Sequence, residues 1–80
     1  MMTPEVIHQL LEKNLVCQHV EVEGDGHHFY TVIVSRAFDG LNRVRRHQTV
    51  YNALEGGMEQ AIHALSIQAY TPEEWEAKHG

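Results

Sequence analysis

Eighty residues allow one hydrophobic core, because a chain of this size already struggles to bury enough surface to stabilise itself, so residues 1–80 are expected to form a single domain. Hydrophobic residues at 42% and charged residues at 21% fit a globular protein; no apolar run approaches the ~18 residues of a membrane span, and Met1-Met2-Thr3-Pro4-Glu5 lacks the regions of a signal peptide, which leads us to expect a cytoplasmic location with no membrane contact. The net charge of −5 argues against a protein that coats nucleic acid, and the single cysteine, Cys17, excludes an internal disulfide and a metal site built from cysteine alone.

In chain order, Thr3-Pro4-Glu5 reads as an N-cap, a proline in the first helical position and an acid in the first turn. Val6, Ile7, Leu10 and Leu11 then recur at helical spacing and predict a helix to about Asn14. Leu15 to Glu23 alternates, with Val16, Val20 and Val22 on one side and Cys17, His19, Glu21 and Glu23 on the other, as a half-buried strand requires. Gly24-Asp25-Gly26 supplies a hairpin turn into a second strand from His28 to Arg36, in which Tyr30, Val32 and Val34 share a face. Phe38-Asp39-Gly40 reads as another turn. Between Asn42 and Glu55, Val44, His47, Val50, Tyr51 and Leu54 gather on one side of a helix, with Arg45, Thr49 and Asn52 opposite. Gly56-Gly57 ends it. A short helix over Met58–Ala61 follows, then a strand over Ile62–Tyr70 with Leu65 and Ile67 facing alike. Thr71-Pro72-Glu73-Glu74 is a capping box leading into Trp75. The order is α-β-β-α-α-β with a short C-terminal helix: an α+β fold whose crossover makes a three-stranded mixed sheet with helices on one face. Val20, Val22, Tyr30, Val32, Leu65 and Ile67 are its expected core.

No hydrolytic constellation stands out. Ser35 and Ser66 lie inside strands without a nucleophile turn, and Gly24-Asp25-Gly26 lacks the lysine and length of a phosphate loop. Cys17 and His19, two apart in a strand, would share a face roughly 7 Å apart, but nothing orients them for catalysis. The seven histidines are the unusual feature. His8, His19 and His79 read as solvent-facing or terminal, and His47 as a partly buried imidazole on the apolar side of its helix. His27, His28 and His63 differ, because a turn and a strand start can bring them together, and imidazole is a good ligand for iron, zinc and copper. From composition alone, His63 reads first as a structural histidine. Arg36, Arg43, Arg45 and Arg46 are four of the six basic residues, and Arg43, Arg45 and Arg46 on the second helix keep a nucleic-acid reading open.

Three stretches taken together carry a family resemblance: Gly24-Asp25-Gly26-His27-His28-Phe29, the run Arg43 to Tyr51, and His63-Ala64-Leu65 followed by Gln68 to Trp75. From about Leu10 to Trp75 the chain resembles the BolA family, and within it the IbaG-like branch. That resemblance implies a fold similar to the class II KH domain, although the Gly-x-x-Gly loop by which KH domains bind single strands is missing here. It also implies a metal site. In BolA-like proteins the histidine opening the last strand ligates a [2Fe-2S] cluster shared with a monothiol glutaredoxin, and His63 holds that place. A second ligand comes from the first hairpin loop, where His27 and His28 stand; His27 is slightly favoured, since His28 precedes Phe29 and is expected to be held by the strand. Thiolates come from the glutaredoxin cysteine and its bound glutathione. The implied role is an adaptor in iron-sulfur trafficking or iron sensing with a part in stress response, not an enzyme. The family's link to transcription supplies the alternative, a DNA-binding regulator using Arg43, Arg45 and Arg46. A metal buffer acting alone is a weaker third, and homodimerisation is left open.

Overall fold

Thr3 Oγ1 accepts the Val6 amide at 3.2 Å, and Pro4 follows it as the first residue of α1, Pro4–Asn14. In this computed structural model, which describes residues 3–56 and 64–79, the remaining elements are β1 (Cys17–Gly24), β2 (Phe29–Ser35), a 3₁₀ turn (Arg36–Phe38), α2 (Arg43–Ala53), β3 (Leu65–Tyr70) and α3 (Pro72–His79). The expected helix over Met58–Ala61 and the first residues of the expected last strand, Ile62 and His63, lie outside the described residues. No described helix is long and apolar enough to cross a membrane.

The sheet order is β1-β2-β3, with β1 antiparallel and β3 parallel to the central β2. The helical segment between β2 and β3 is the crossover that a parallel pair needs. Register assigns the faces. Val20 pairs with Ile33, Val22 with Thr31, Phe29 with Leu65 and Thr31 with Ile67, so these side chains share the face covered by α1 and α2. Ile7 and Leu11 of α1, Val50, Ala53 and Leu54 around the end of α2, and Phe29, Ile33, Leu65 and Ile67 of the sheet form the core.

Two parities differ from the sequence reading. On β2 the buried set is Phe29, Thr31 and Ile33, while Tyr30 is 57% exposed on the opposite face. Tyr30, Val32 and Val34 do share a face, but it is the outer one; in a central strand apolar on both faces, alternation cannot say which set meets the helices. On β1 the register slips between Cys17 and His19, whose partners are Ser35 and Val34. This bulge turns Cys17 towards the core beside Val20 and Val22, leaves Val16 63% exposed, and sends His19 to the outer face. Cys17 and His19 are therefore not a pair. The Cys17 thiol lies 3.5 Å from the Leu15 carbonyl, and burial, helped by Glu12, pushes its pKa up, the opposite of an activated nucleophile.

Helix α2 starts where Asn42 Oδ1 accepts the Arg45 amide at 2.9 Å. It ends at Ala53, before the expected Glu55, because Glu55 takes φ 56° and Gly56 φ 79°. The Asn14 amide holds that reversal, donating to the Ala53 carbonyl and to Glu55 Oε2, both at 2.8 Å. Val44, assigned to the apolar stripe by spacing, is 65% exposed in the first turn. Phe38 is fully buried, although a turn was expected there. Ser35 places it, donating to the Val16 carbonyl at 2.7 Å and accepting the Ala37 amide at 3.0 Å, which winds the chain back over the core.

Thr31 is the imperfect core residue. Its side chain is buried on the helix-covered face, and Oγ1 has no hydrogen-bond partner among the described residues. A buried hydroxyl without a partner costs about 1–3 kcal/mol, and valine keeps the β-branched shape. We expect Thr31→Val to stabilise the fold by about 1 kcal/mol, read as a higher urea midpoint at unchanged slope; a lower midpoint would show that the hydroxyl is satisfied in solution.

Candidate functional site

The hairpin loop between β1 and β2 is built around Asp25. Its Oδ1 accepts the backbone amides of both His27 and His28 at 2.9 Å, and its own amide donates to the His28 carbonyl at 3.2 Å. These bonds, first that from His27 and then that from His28, hold the Asp25 carboxyl below its ordinary pKa. Gly26 takes φ 93°, as a tight turn demands. At Gly24 a Cβ would lie 2.5 Å from the Phe29 ring and 2.7 Å from the His28 carbonyl, so only glycine fits. The glycines therefore let the loop close tightly, and Asp25 clamps it.

The two loop histidines are held differently. His28 is half-buried, its ring tilted against Tyr30 at 4.7 Å and its Nε2 3.0 Å from Ser66 Oγ of β3. His27 is exposed, and its ring makes no hydrogen bond among the described residues. Because Phe29 pairs with Leu65, both histidines stand at the sheet end where the chain enters β3. His63, which precedes Ala64 in the chain, lies outside the described residues. No group of three or more described histidines, cysteines or carboxylates could hold a metal. The donors that are described, two imidazoles and no thiolate, suit the completion of an iron or zinc coordination sphere whose other ligands come from elsewhere. His28 would have to use Nδ1 or give up Ser66.

The arginines separate. Arg46 is built into the fold: Nε donates to the Leu41 carbonyl at 2.9 Å, Nη1 to the Ala69 carbonyl at 3.1 Å, and the guanidinium takes both oxygens of Glu74, at 2.6 and 3.1 Å. Glu74 in turn accepts the Thr71 amide at 2.9 Å while Thr71 Oγ1 accepts the Glu74 amide at 3.2 Å, the capping box expected at the start of α3. Arg43 and Arg45 remain exposed on α2. Two exposed arginines give few phosphate contacts.

The outer face carries a second grouping that the sequence reading missed. Trp75 of α3 lies against His19 of β1 at 4.9 Å, His79 at 3.8 Å and Tyr70 at 5.5 Å. Helix α3 thus covers one end of the face opposite α1 and α2, and Val34 is buried there beside Pro72 and Trp75. Only the bulge in β1 brings His19 to Trp75.

The family profile described as BolA-like protein matches residues 5–74. The chain belongs to the BolA family. Among BolA relatives, it is 49% identical over 70 residues to acid stress protein IbaG of Escherichia coli, covering 86% of this chain and 83% of that protein. It is 33% identical over 85 residues to the DNA-binding transcriptional regulator BolA of Haemophilus influenzae, covering 94% and 82%. A BolA homologue from Coxiella burnetii superimposes with a TM-score of 0.81 at 44% identity, over 95% of this chain and 99% of that one. The BolA arrangement of a helix, a hairpin, a helical crossover and a final parallel strand is thus shared.

Two substitutions test the Arg46 junction. Arg46→Ala should lower stability by about 2 kcal/mol in chemical denaturation, because it removes hydrogen bonds from a cation and strands two backbone carbonyls. Arg46, and after it the Thr71 amide, hold the Glu74 carboxyl down from its ordinary 4.5 to about 2. A carboxylate with a depressed folded pKa contributes stability that is fully present above the unfolded value and lost as pH falls towards the folded one. Glu74→Gln should therefore be less stable than wild type above about pH 5, by roughly 1 kcal/mol for so exposed a pair, with the difference closing as pH falls from 4.5 towards 2. A pH-independent difference would remove the electrostatic account.

Proposed function

We propose that this BolA-family chain is an adaptor that docks on a monothiol glutaredoxin and completes the ligation of a [2Fe-2S] cluster through imidazole, in iron-sulfur trafficking or iron sensing. The observation that carries the reading is the Asp25-clamped loop, which holds His27 and His28 at the sheet end where the chain enters β3, two residues after His63 in the sequence. A histidine-only donor set on this chain leaves the thiolates to the partner, namely the glutaredoxin cysteine and its glutathione. His63 and His27 are the proposed ligands: the exposed His27 ring makes no hydrogen bond among the described residues, whereas His28 is engaged by Tyr30 and Ser66. Imidazole ligands make a bound cluster less negative than all-thiolate ligation does and leave it open to protonation near neutral pH. The acid-stress name of the Escherichia coli relative fits a site read out by weak acid. No described constellation points to catalysis.

The test is to mix the purified chain with glutathione-loaded monothiol glutaredoxin, reconstitute iron and sulfide, and record absorption, EPR and native mass. A one-to-one complex with its own spectrum is expected. His63→Ala should keep the far-ultraviolet dichroism yet move the spectrum towards that of the glutaredoxin homodimer, and His27→Ala should do so more weakly. An unchanged spectrum in His63→Ala, with the partner bound, would reject the assignment. Sub-micromolar retention on duplex DNA in physiological salt, with the log-log salt slope falling by roughly 0.9 for each of Arg43→Ala and Arg45→Ala, would favour the regulator instead.

A further inference from the structure

The two edges of the sheet are built differently. Edge strand β1 carries His19, Glu21 and Glu23 and a bulge, the devices by which strands avoid pairing with other chains. Edge strand β3 reads Leu-Ser-Ile-Gln-Ala-Tyr, with no charge, proline or register shift, and no described strand pairs with its outer side. In a parallel pair, residues that direct both N–H and C=O towards the partner alternate with residues that direct both away. The Ala69 carbonyl accepts from Arg46, so Ala69 belongs to the outward set, and by alternation so do Leu65 and Ile67.

Beside that edge runs a groove of about 590 Å³ between β3 and the start of α2, lined by apolar Leu41, Ile67 and Ala69 and by Asn42, Arg43 and His47. Arg46 at its margin is matched by Glu74. Arg43 is exposed and forms no ion pair among the described residues. The unmatched charge of the groove is therefore positive, on a chain of net charge −5.

We propose that β3 and this groove bind an extended acidic segment of a partner protein, added to the sheet as a fourth strand. The outward N–H and C=O groups of Leu65 and Ile67 and the Ala69 N–H, at a two-residue repeat, match a peptide backbone, while the Ala69 carbonyl stays with Arg46; added strands gain affinity in this way. Every second side chain of the segment then points under α2, where apolar groups meet Leu41 and Ile67 and a carboxylate meets Arg43; the alternate ones lie beside Gln68 and Tyr70. A second copy of this chain fits less well, because its β3 brings no carboxylate to Arg43. A nucleic-acid strand offers no alternating donors and acceptors to the edge. The groove lies towards the Val34/Tyr70 end of the strand pair and the loop histidines at the Phe29/Leu65 end, so this site and the cluster site stand or fall separately.

The probe is an acetylated peptide of about eight residues, enough to span β3 with its ends, carrying valine and glutamate at alternate positions and threonine between them. Titrated into the isotope-labelled full chain, it should give saturable amide shifts over Ile67 to Tyr70 and slow hydrogen exchange at the Ile67 amide. Replacing its glutamates by lysine, or using Arg43→Glu in the protein, should each weaken binding about fivefold, the scale of one exposed ion pair. Arg43→Glu places an acid in a first turn that has none, so the helix is retained. Methylating the peptide nitrogens that face β3 should abolish binding. Absence of saturable shifts in β3, equal binding of the lysine peptide, or protection of β3 through self-association without peptide would each overturn the proposal. So would an oligonucleotide shifting these amides when the peptide does not.

Discussion

Central strand β2 sets the geometry of everything else, because it is the strand that pairs on both sides. Its antiparallel register with β1 and its parallel register with β3 decide which side chains meet the helices, and they bring the first hairpin loop to the entrance of β3. A slip of one residue would exchange Phe29, Thr31 and Ile33 for Tyr30, Val32 and Val34 under α1 and α2. It would also part His28 from Ser66. The core and the candidate site are thus consequences of one pairing, which is why the loop histidines need no further scaffold than Asp25 and the strand they precede.

Arg46 performs the matching task at the other end. It joins the turn before α2, the last residues of β3 and the cap of α3 through the Leu41 and Ala69 carbonyls and Glu74. A cation so committed is a poor phosphate ligand, since leaving its partners strands a carboxylate and two carbonyls. The basic stretch of α2 therefore divides into a structural residue and two exposed ones, and the DNA reading loses one of its three arginines. The same junction fixes one wall of the groove beside β3.

The clamped loop bears on how a shared cluster would be held. With both histidine amides bound to Asp25, little backbone freedom remains to be lost there on docking, which lowers the entropic cost of recruiting an imidazole. Of the two rings, that of His28 is engaged by Ser66 and Tyr30, and that of His27 makes no hydrogen bond among the described residues.

The caps and the first hairpin turn were legible along the chain, because caps and turns are local chemistry. Thr3-Pro4, Thr71 with Glu74, and the glycines around Asp25 carry their hydrogen bonds within a few residues. Helical stripes at Ile7-Leu11 and Val50-Leu54 were equally legible, and so was the mixed three-stranded sheet implied by a helical crossover. Only the tertiary structure decided which face of β2 is buried, since both of its faces are apolar enough to qualify. It also placed Cys17 and His19 on opposite sides, because a bulge is set by the partner strand. It put Phe38 in the core through the bond from Ser35 to the distant Val16 carbonyl, and it turned Arg46 inward towards a carboxylate 28 residues away. Those contacts depend on which segments meet in space, and periodicity along one segment carries no record of its partners.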